Sequence, residues 1–410
     1  MNSMTKISEE QLSEQRAIAA RIRVGNRGSD RSVLAFVDTY GCQQNEADSE
    51  IIRGQLNEMG YAFTDSESLA DLIIINTCAV REHAEQRVLG NVGHLIHTKR
   101  AGQIIALCGC AVQQKSVREL VLKSYRHVDV MFGPHELWRL PEILEKALNA
   151  PAKIKTVEVR ESDGERVDGL PTLRKDGPDA WLNVMYGCDN FCSYCVVPYI
   201  RGRERSREFR AVVDEAKLLI AAGKRKITLL GQNVNSYGRD LYGETRFSDL
   251  LRTIAELEGD FTLHFRTSHP KDASEELFRV VAEQSKVDKS LHLPFQSGSD
   301  RILAAMNRGY TAAEYLSKIN RLKELAPNVS LSSDIIVGFP GETDAEFEDT
   351  LKIVGAVRFD KLFTFIYSPR PGTPAAEMPD PFTRAQKQTR FNKLIALQRS
   401  IDARRLAEHA

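Results

Sequence analysis

The stretch WLNVMYGCDNFCSYC, residues 181–195, runs from an apolar, strand-like pattern directly into three closely spaced cysteines, Cys188, Cys192 and Cys195. Its first half reads as a buried strand ending at Gly187. A chemistry-bearing loop at the carboxyl end of a strand is what parallel α/β folds present, because ligands collect there. Further strand–helix units follow it. Strand candidates KITLLGQ (226–232), FTLHFRT (261–267), KSLHLPF (289–295), VSLSSDIIVGF (329–339) and KLFTFIY (361–367) alternate with amphipathic segments. About six such units fit a partial (β/α)6 barrel of the TIM type over residues 180–380.

Upstream the same alternation predicts another α/β unit. The runs VLAFVDTYG (33–41), DLIIINT (71–77), QIIALCG (103–109) and VDVMFG (128–133) read as strands with helical patterns between them. They predict a doubly wound parallel-sheet domain over 33–150. Residues 1–32 read as a polar extension, and 151–179, with three prolines and many charges, as a linker holding a short hairpin at KIKTVEV (153–159). Residues 381–410 carry a basic helix.

The chain of 410 residues is long enough for two to three domains. Lys+Arg 56 balances Asp+Glu 56, so binding to nucleic acid would have to rest on a local patch. No apolar run approaches the roughly 20 residues of a membrane span. The N-terminus has no apolar signal region, which predicts a cytoplasmic protein. Seven cysteines, an odd number, argue against a disulfide framework and for metal or redox chemistry.

Cys42, Cys78 and Cys110 each follow a different strand candidate of the first domain, so the sheet would bring them to one edge. Cys108 falls within a strand, as a neutral core cysteine would. Three thiolates with one position open suit a [4Fe–4S] cluster with an unligated iron. A zinc site completed by Asn45, Glu46, Asp48 or His83 is the alternative. Cys188, Cys192 and Cys195 likewise lack an obvious fourth ligand, and no second C-x-x-C or His pair follows to make a zinc knuckle.

C-x-x-x-C-x-x-C with Tyr194 before the last cysteine, opening a strand–helix series, resembles the radical S-adenosylmethionine enzymes. TYGCQQNEADSE (39–50), NTCAVRE (76–82) and CGCAVQ (108–113) narrow the resemblance to methylthiotransferases. GCDNFCSYCVVPYIRGRERSR, LLGQNVNSYG, LPFQSGSDRILAAMNRGYT, DIIVGFPGET and YSPRPGTPAA narrow it to the MiaB type, over about residues 33–400. The resemblance implies two [4Fe–4S] clusters and S-adenosylmethionine. Cys188, Cys192 and Cys195 would hold the radical cluster, and Cys42, Cys78 and Cys110 the auxiliary one. One S-adenosylmethionine would methylate a cluster-held sulfur. A second would yield the radical that takes hydrogen from C2 of N6-dimethylallyladenosine at position 37 of tRNA, where the methylthio group couples. Both clusters would then have to serve one pocket.

The same chemistry on threonylcarbamoyladenosine in tRNA, or on an aspartate of a ribosomal protein, is the nearest alternative. A zinc-containing RNA-binding protein is the alternative of another class. The family pattern also implies an electron donor such as flavodoxin or ferredoxin, and a monomer. It further carries a β-rich RNA-binding domain, TRAM, after the barrel; the sequence reaches Ala410 without one.

Around the expected cofactor, Gln232 and Asn233 are candidates for the amino-acid part of S-adenosylmethionine, with ordinary loop polarity as the plain reading. Ser297, Gly298 and Gly338 would let the backbone come close to it, and Tyr194 would shield the cluster. The run YIRGRERSREFR (199–210) is the strongest basic patch, and Arg201, Arg203 and Arg205 are its candidates for RNA phosphate. Arg266, Arg301 and Arg308 are weaker candidates; His269, His292 and Asp334 read as core or loop groups.

Overall fold

The computed structural model describes residues 6–79, 82–151, 155–160 and 163–408, with the backbone alone at 82–86. It divides into two compact units, Met1–Gly187 with Tyr199–Arg207, and Cys188–Pro198 with Glu208–Ala410.

The first unit is built on a six-stranded parallel sheet. Its strands are β1 (Leu34–Thr39), β2 (Ala62–Phe63), β3 (Leu72–Thr77), β4 (Ile104–Gly109), β5 (Val130–Phe132) and β6 (Thr156–Glu158), in the order β2-β1-β3-β4-β5-β6. Alternate side chains feed two cores. Leu72, Ile74, Ala106 and Phe132 pack with Ile22, Ile52 and Ile143 of the helices Glu9–Arg27, Gln43–Glu58 and Leu140–Asn149. Ile73, Ile75, Ile105 and Leu107 pack with Val88, Val92, Val117 and Val121 of the helices Glu82–His94 and Lys115–Ser124. A sheet covered on both faces explains why its strands read as continuous apolar runs. The expected doubly wound architecture is present.

Three local expectations differ. The extension over 1–32 contains the helix Glu9–Arg27, opened by a Ser8–Gln11 capping box. Its narrow stripe of Leu12, Ile18, Ala19 and Ile22 is buried, and Arg21 pairs with Glu145 at 2.9 Å. Of KIKTVEV, Thr156–Glu158 pairs parallel with β5 as an edge strand rather than with a hairpin partner among the described residues, and Lys153 and Ile154 lie outside them. The proline-rich stretch is not loose either. A Cβ on Gly54 would stand 2.3 Å from the carbonyl of Pro171, so the segment lies directly on the helix Gln43–Glu58. Arg174 pairs with the buried Glu50 of the same helix at 2.8 Å.

WLNVMYG splits into β7 (Asp179–Asn183) and β8 (Met185–Tyr186), and both group with the first unit. β8 pairs antiparallel with β9 (Arg205–Ser206), which returns the arginine-rich run to this unit.

The second unit holds the parallel pair β10 (Lys226–Leu230) and β11 (Thr262–Phe265). It also holds the parallel sheet β12 (Ser290–His292), β13 (Ser330–Val337) and β14 (Lys361–Ile366). Five of the six expected barrel strands are these, each reached through a helix. Thr311–Glu314 and Thr343–Glu346 capping boxes start the helices Ala312–Leu325 and Asp344–Val357. The basic helix Arg384–Glu408 buries Lys387, Arg390, Leu394, Gln398 and Ile401 along one face. Several of its cations pair within the unit: Arg390 meets Glu342 and Asp344, and Arg405 meets Asp360. Among the described residues no helix is long and apolar enough to cross a membrane.

Candidate active site

In the first unit β1, β3 and β4 are neighbours, so the loops at their carboxyl ends lie side by side. Cys42 caps the helix after β1, Cys78 follows β3, and Cys110 starts the short helix after β4. Two glycines let these loops touch. A Cβ on Gly41 (φ +135) would come 2.7 Å from that of Cys78, and one on Gly109 (φ +90) would come 2.2 Å from Asn76 Oδ1. Asn45, fully buried, donates to Asn76 Oδ1 (3.1 Å) and to the Thr77 carbonyl (2.8 Å), tying the first loop to the second.

The Cys110 thiol is pushed up to about 12, first by burial; Arg201 pulls against this, and Cys42 and Cys78 add to it. A bare proton is therefore held tightly here, and a bound metal must replace it to give a thiolate. Cys42 sits at the surface, with its sulfur 3.3 Å from Asn45 Oδ1. Cys108 is different. It belongs to the core beside Ile74 and Phe132, and burial raises its thiol well above the ordinary range. Strand alternation does not carry through to Cys110, because the strand ends at Gly109 and a helix begins.

Of the fourth ligands considered for zinc, Asn45 is held as above, Glu46 pairs with Lys175 at 2.6 Å, and Asp48 pairs with Arg201 at 2.7 Å. The side chain of His83 lies outside the described residues. Among the described residues no three His, Cys, Asp or Glu side chains gather at single-ion spacing. An iron–sulfur cluster asks for a wider set, since each thiolate binds a different iron. Three cysteines on three touching loops, with a guanidinium on one sulfur, fit such a cluster better than a zinc ion.

In the second unit the loop Cys188–Cys195 is fixed by its own backbone. Ser193 N donates to the Met306 carbonyl (3.0 Å), Ala375 N donates to the Ser193 carbonyl (2.8 Å), and Cys195 N donates to the Cys192 carbonyl (2.9 Å). Asn307 Nδ2 donates to the carbonyls of Asn190 (3.0 Å) and Phe191 (3.1 Å), holding Phe191 at φ 43, a left-handed position rare outside glycine. Cys188 and Cys192 are buried, and Cys195 is half-buried. The Cys195 thiol is pushed up to about 12 by the protein around it and by Cys192, while the Val197 N–H pulls against the shift.

Arg308, only 4% exposed, donates from Nη1 to Cys192 Sγ (3.3 Å) and Tyr194 Oη (3.2 Å), and from Nη2 to the Pro294 carbonyl (2.7 Å). Among the described residues no carboxylate pairs with it. A buried cation whose partners are neutral and a cysteine sulfur suits an anionic thiolate-held cluster. The buried His269 lies 4.0 Å from the same sulfur, and burial and Arg308 push its pKa down, so it is neutral. In the sequence Arg308 is a weak candidate and His269 reads as a core group; the Arg in MNRGYT is the available signal.

The expected cofactor residues divide. Asn233 is 1% exposed; its Nδ2 donates to Asp272 (2.7 Å), while its Oδ1 has no partner among the described residues. Gln232 is half-buried beside it in sequence, and Gln296 Oε1 is a second buried acceptor without a partner among the described residues. Ser297 is fully buried and accepts from Ser299 N at 3.3 Å. Gly298 makes a close approach, but to protein: a Cβ there would stand 2.5 Å from the Asp349 carbonyl. Gly338 (φ +70) is faced by the Lys387 side chain, and its N–H donates to Glu342 at 2.7 Å. Glu342, which nothing in GFPGE marks out, is 1% exposed. Tyr194 is half-buried, packed with Ile302, Met306, Phe339 and Tyr367. Asp334 is half-buried with His292 at 3.4 Å.

The basic run does not form an open patch. Arg201 and Arg205 are each 5% exposed and Arg207 is 9% exposed. Arg205 donates to the carbonyls of Arg201 (3.1 Å) and Arg203 (3.0 Å), and Arg207 pairs with Asp168 at 2.6 Å. Of the three candidates for RNA phosphate, Arg203 is the exposed one.

Comparison with known proteins bears on the whole length. Residues 182–354 match the Radical SAM superfamily, and residues 35–133 match the uncharacterized protein family UPF0004. The tRNA-2-methylthio-N(6)-dimethylallyladenosine synthase of Alkaliphilus oremlandii is 47% identical, over 97% of this chain and 84% of its own. That of Thermoanaerobacter pseudethanolicus is 44% identical, over 98% of this chain and 85% of its own. Among solved structures, the radical S-adenosylmethionine methyltransferase TsrM from Kitasatospora setae, with cobalamin and a [4Fe-4S] cluster bound, is similar in fold at a TM-score of 0.61. It is 15% identical, over 84% of this chain and 77% of that one.

Proposed function

Because the chain belongs to the tRNA-2-methylthio-N(6)-dimethylallyladenosine synthase family, we infer that it methylthiolates C2 of N6-dimethylallyladenosine at position 37 of tRNA. It is a radical S-adenosylmethionine enzyme, and its cofactors are [4Fe–4S] clusters and S-adenosylmethionine. The observation that carries the reading is the second set of cysteines, Cys42, Cys78 and Cys110, on three touching loops of the first unit. A radical alone would not need it; a reaction that also delivers sulfur would.

The clusters and S-adenosylmethionine, when bound, supply the radical and the sulfur-transfer chemistry. The chain's own residues bind and orient. We assign Cys188, Cys192 and Cys195 to the radical cluster, and Cys42, Cys78 and Cys110 to the auxiliary one. Asn233 Oδ1, buried and without a partner among the described residues, suits the ammonium group of S-adenosylmethionine, with Gln232 next to it in the loop after β10 and Ser297 and Gly338 in the loops after β12 and β13. Tyr194, held by Arg308 and packed among apolar side chains, keeps water from the Cys192 side. Arg203 is the member of the basic run best suited to RNA phosphate, because it is exposed. We place its action in the cytoplasm, where a tRNA substrate is met. A flavodoxin or ferredoxin as electron donor, and a monomeric state, rest on the family resemblance alone.

The test is mass spectrometry of tRNA from a strain lacking the gene. The 2-methylthio group should vanish, with N6-dimethylallyladenosine accumulating, and return with the wild-type gene but not with Cys110→Ala. Unchanged 2-methylthio-N6-dimethylallyladenosine would sink the reading. Retained activity on threonylcarbamoyladenosine or on a ribosomal aspartate would redirect it. Zinc without labile sulfide, in place of about eight irons per chain, would favour an RNA-binding protein.

A further inference from the structure

Arg201 lies in a basic run whose sequence suggests RNA contact, yet the fold turns it inward. It is 5% exposed, and its Nε donates to Cys110 Sγ at 3.1 Å. Its Nη2 forms an ion pair with Asp48 Oδ2 at 2.7 Å. Asp48 is itself 5% exposed, and its other oxygen accepts from Gln44 Nε2 at 3.2 Å. Gln44 Nε2 in turn reaches Asn183 Oδ1 at 3.0 Å. A chain of buried polar groups thus runs from β7 through the helix Gln43–Glu58 to a cysteine sulfur. The guanidinium is planar, so fixing its far edge on a carboxylate aims Nε.

We propose that Arg201 is a positioning residue for the auxiliary cluster: held by Asp48, it donates to the Cys110 sulfur and raises the cluster's reduction potential. Reduction adds negative charge to a cluster already held by thiolates. A buried cation bonded to one of those sulfurs therefore stabilises the reduced form more than the oxidised form. Groups that bond to metal ligands set ligand orientation and electronics in this way. Asp48 opposes the effect with its own charge but holds the geometry. The inference rests on the auxiliary cluster being held by Cys42, Cys78 and Cys110, as proposed above.

The experiment uses the full chain carrying Cys188→Ala, Cys192→Ala and Cys195→Ala, so that the auxiliary cluster alone is loaded. The cluster is titrated with dithionite or titanium citrate and followed by low-temperature EPR, with iron counted per chain. Arg201→Met should make reduction about tenfold to a hundredfold less favourable, a downward shift of about 59 to 118 mV for one electron. Arg201→Lys keeps the charge and loses the fork, and should shift the potential in the same direction by less. A background chain that is folded and takes up no iron overturns the placing of the auxiliary cluster, and this inference with it. A background that takes up about four irons, with both variants keeping its potential and spectrum, overturns the inference alone. Where Arg201→Met fails to fold or to hold a cluster, Arg201→Lys decides: the unchanged potential overturns the inference.

Discussion

Glu342 closes the turn after β13, where its carboxylate takes the Gly338 N–H and lies 3.3 Å from Arg390 of the last helix. Burial outweighs both contacts and pushes its pKa from 4.5 to about 7. The sign follows from which state holds the proton. Between about 4.5 and 7 the folded chain keeps Glu342 protonated, while the unfolded chain releases the proton. The contribution of this group is therefore complete below about 4.5 and is lost as pH rises through about 7. Its full size is about 3 kcal/mol. Glu342→Gln is neutral at every pH and keeps the acceptor for Gly338. In urea unfolding at pH 5 and pH 8, the wild-type chain should lose stability relative to Glu342→Gln on going to the higher pH. A constant difference across that range would contradict the shift.

At the scale of elements, the seat of the helix Asp344–Val357 tests which role Gly298 has. Gly298 N donates to Thr350 Oγ1 at 2.9 Å, and the missing Cβ is the space the helix backbone occupies. Gly298→Ala must push that helix away, at about 1–3 kcal/mol. The loss should appear in urea unfolding of the chain without cofactor. Stability unchanged there, with only S-adenosylmethionine binding weakened, would restore the cofactor role. The strands were legible because parallel strands buried on both faces give unbroken apolar runs, as in DLIIINT. The helix Glu9–Arg27 was hidden because only a narrow stripe of a polar segment is buried; Ser8-x-x-Gln11 was its one clear mark. The edge strand at Thr156–Glu158 is too short to show a period, and its place is set by β5. The cysteines were legible because their chemistry is intrinsic to the residue type. The arginines were not, because whether a charge is buried depends on a partner far along the chain. Asp48 meets Arg201 across the whole doubly wound sheet sequence, and nothing local to YIRGRERSR announces it.

At the scale of the molecule, each unit has its own buried cores, and each of the two proposed cysteine sets lies wholly within one unit: Cys42, Cys78 and Cys110 in the first, Cys188, Cys192 and Cys195 in the second. Cluster loading should therefore be separable. The chain bearing Cys42→Ala, Cys78→Ala and Cys110→Ala should still take up about four irons and cleave S-adenosylmethionine reductively to 5′-deoxyadenosine, while transferring no sulfur. The complementary chain, with Cys188, Cys192 and Cys195 each replaced by Ala, should also hold about four irons but form no 5′-deoxyadenosine. Both losses are chemical, so far-UV circular dichroism should be unchanged in each variant. Iron and sulfide counts after anaerobic reconstitution, with product analysis by mass spectrometry, read all of these together. If removing either set strips the chain of both clusters while the fold persists, the two sites are not independent. The division of labour between a radical-forming and a sulfur-bearing unit would then have to be abandoned.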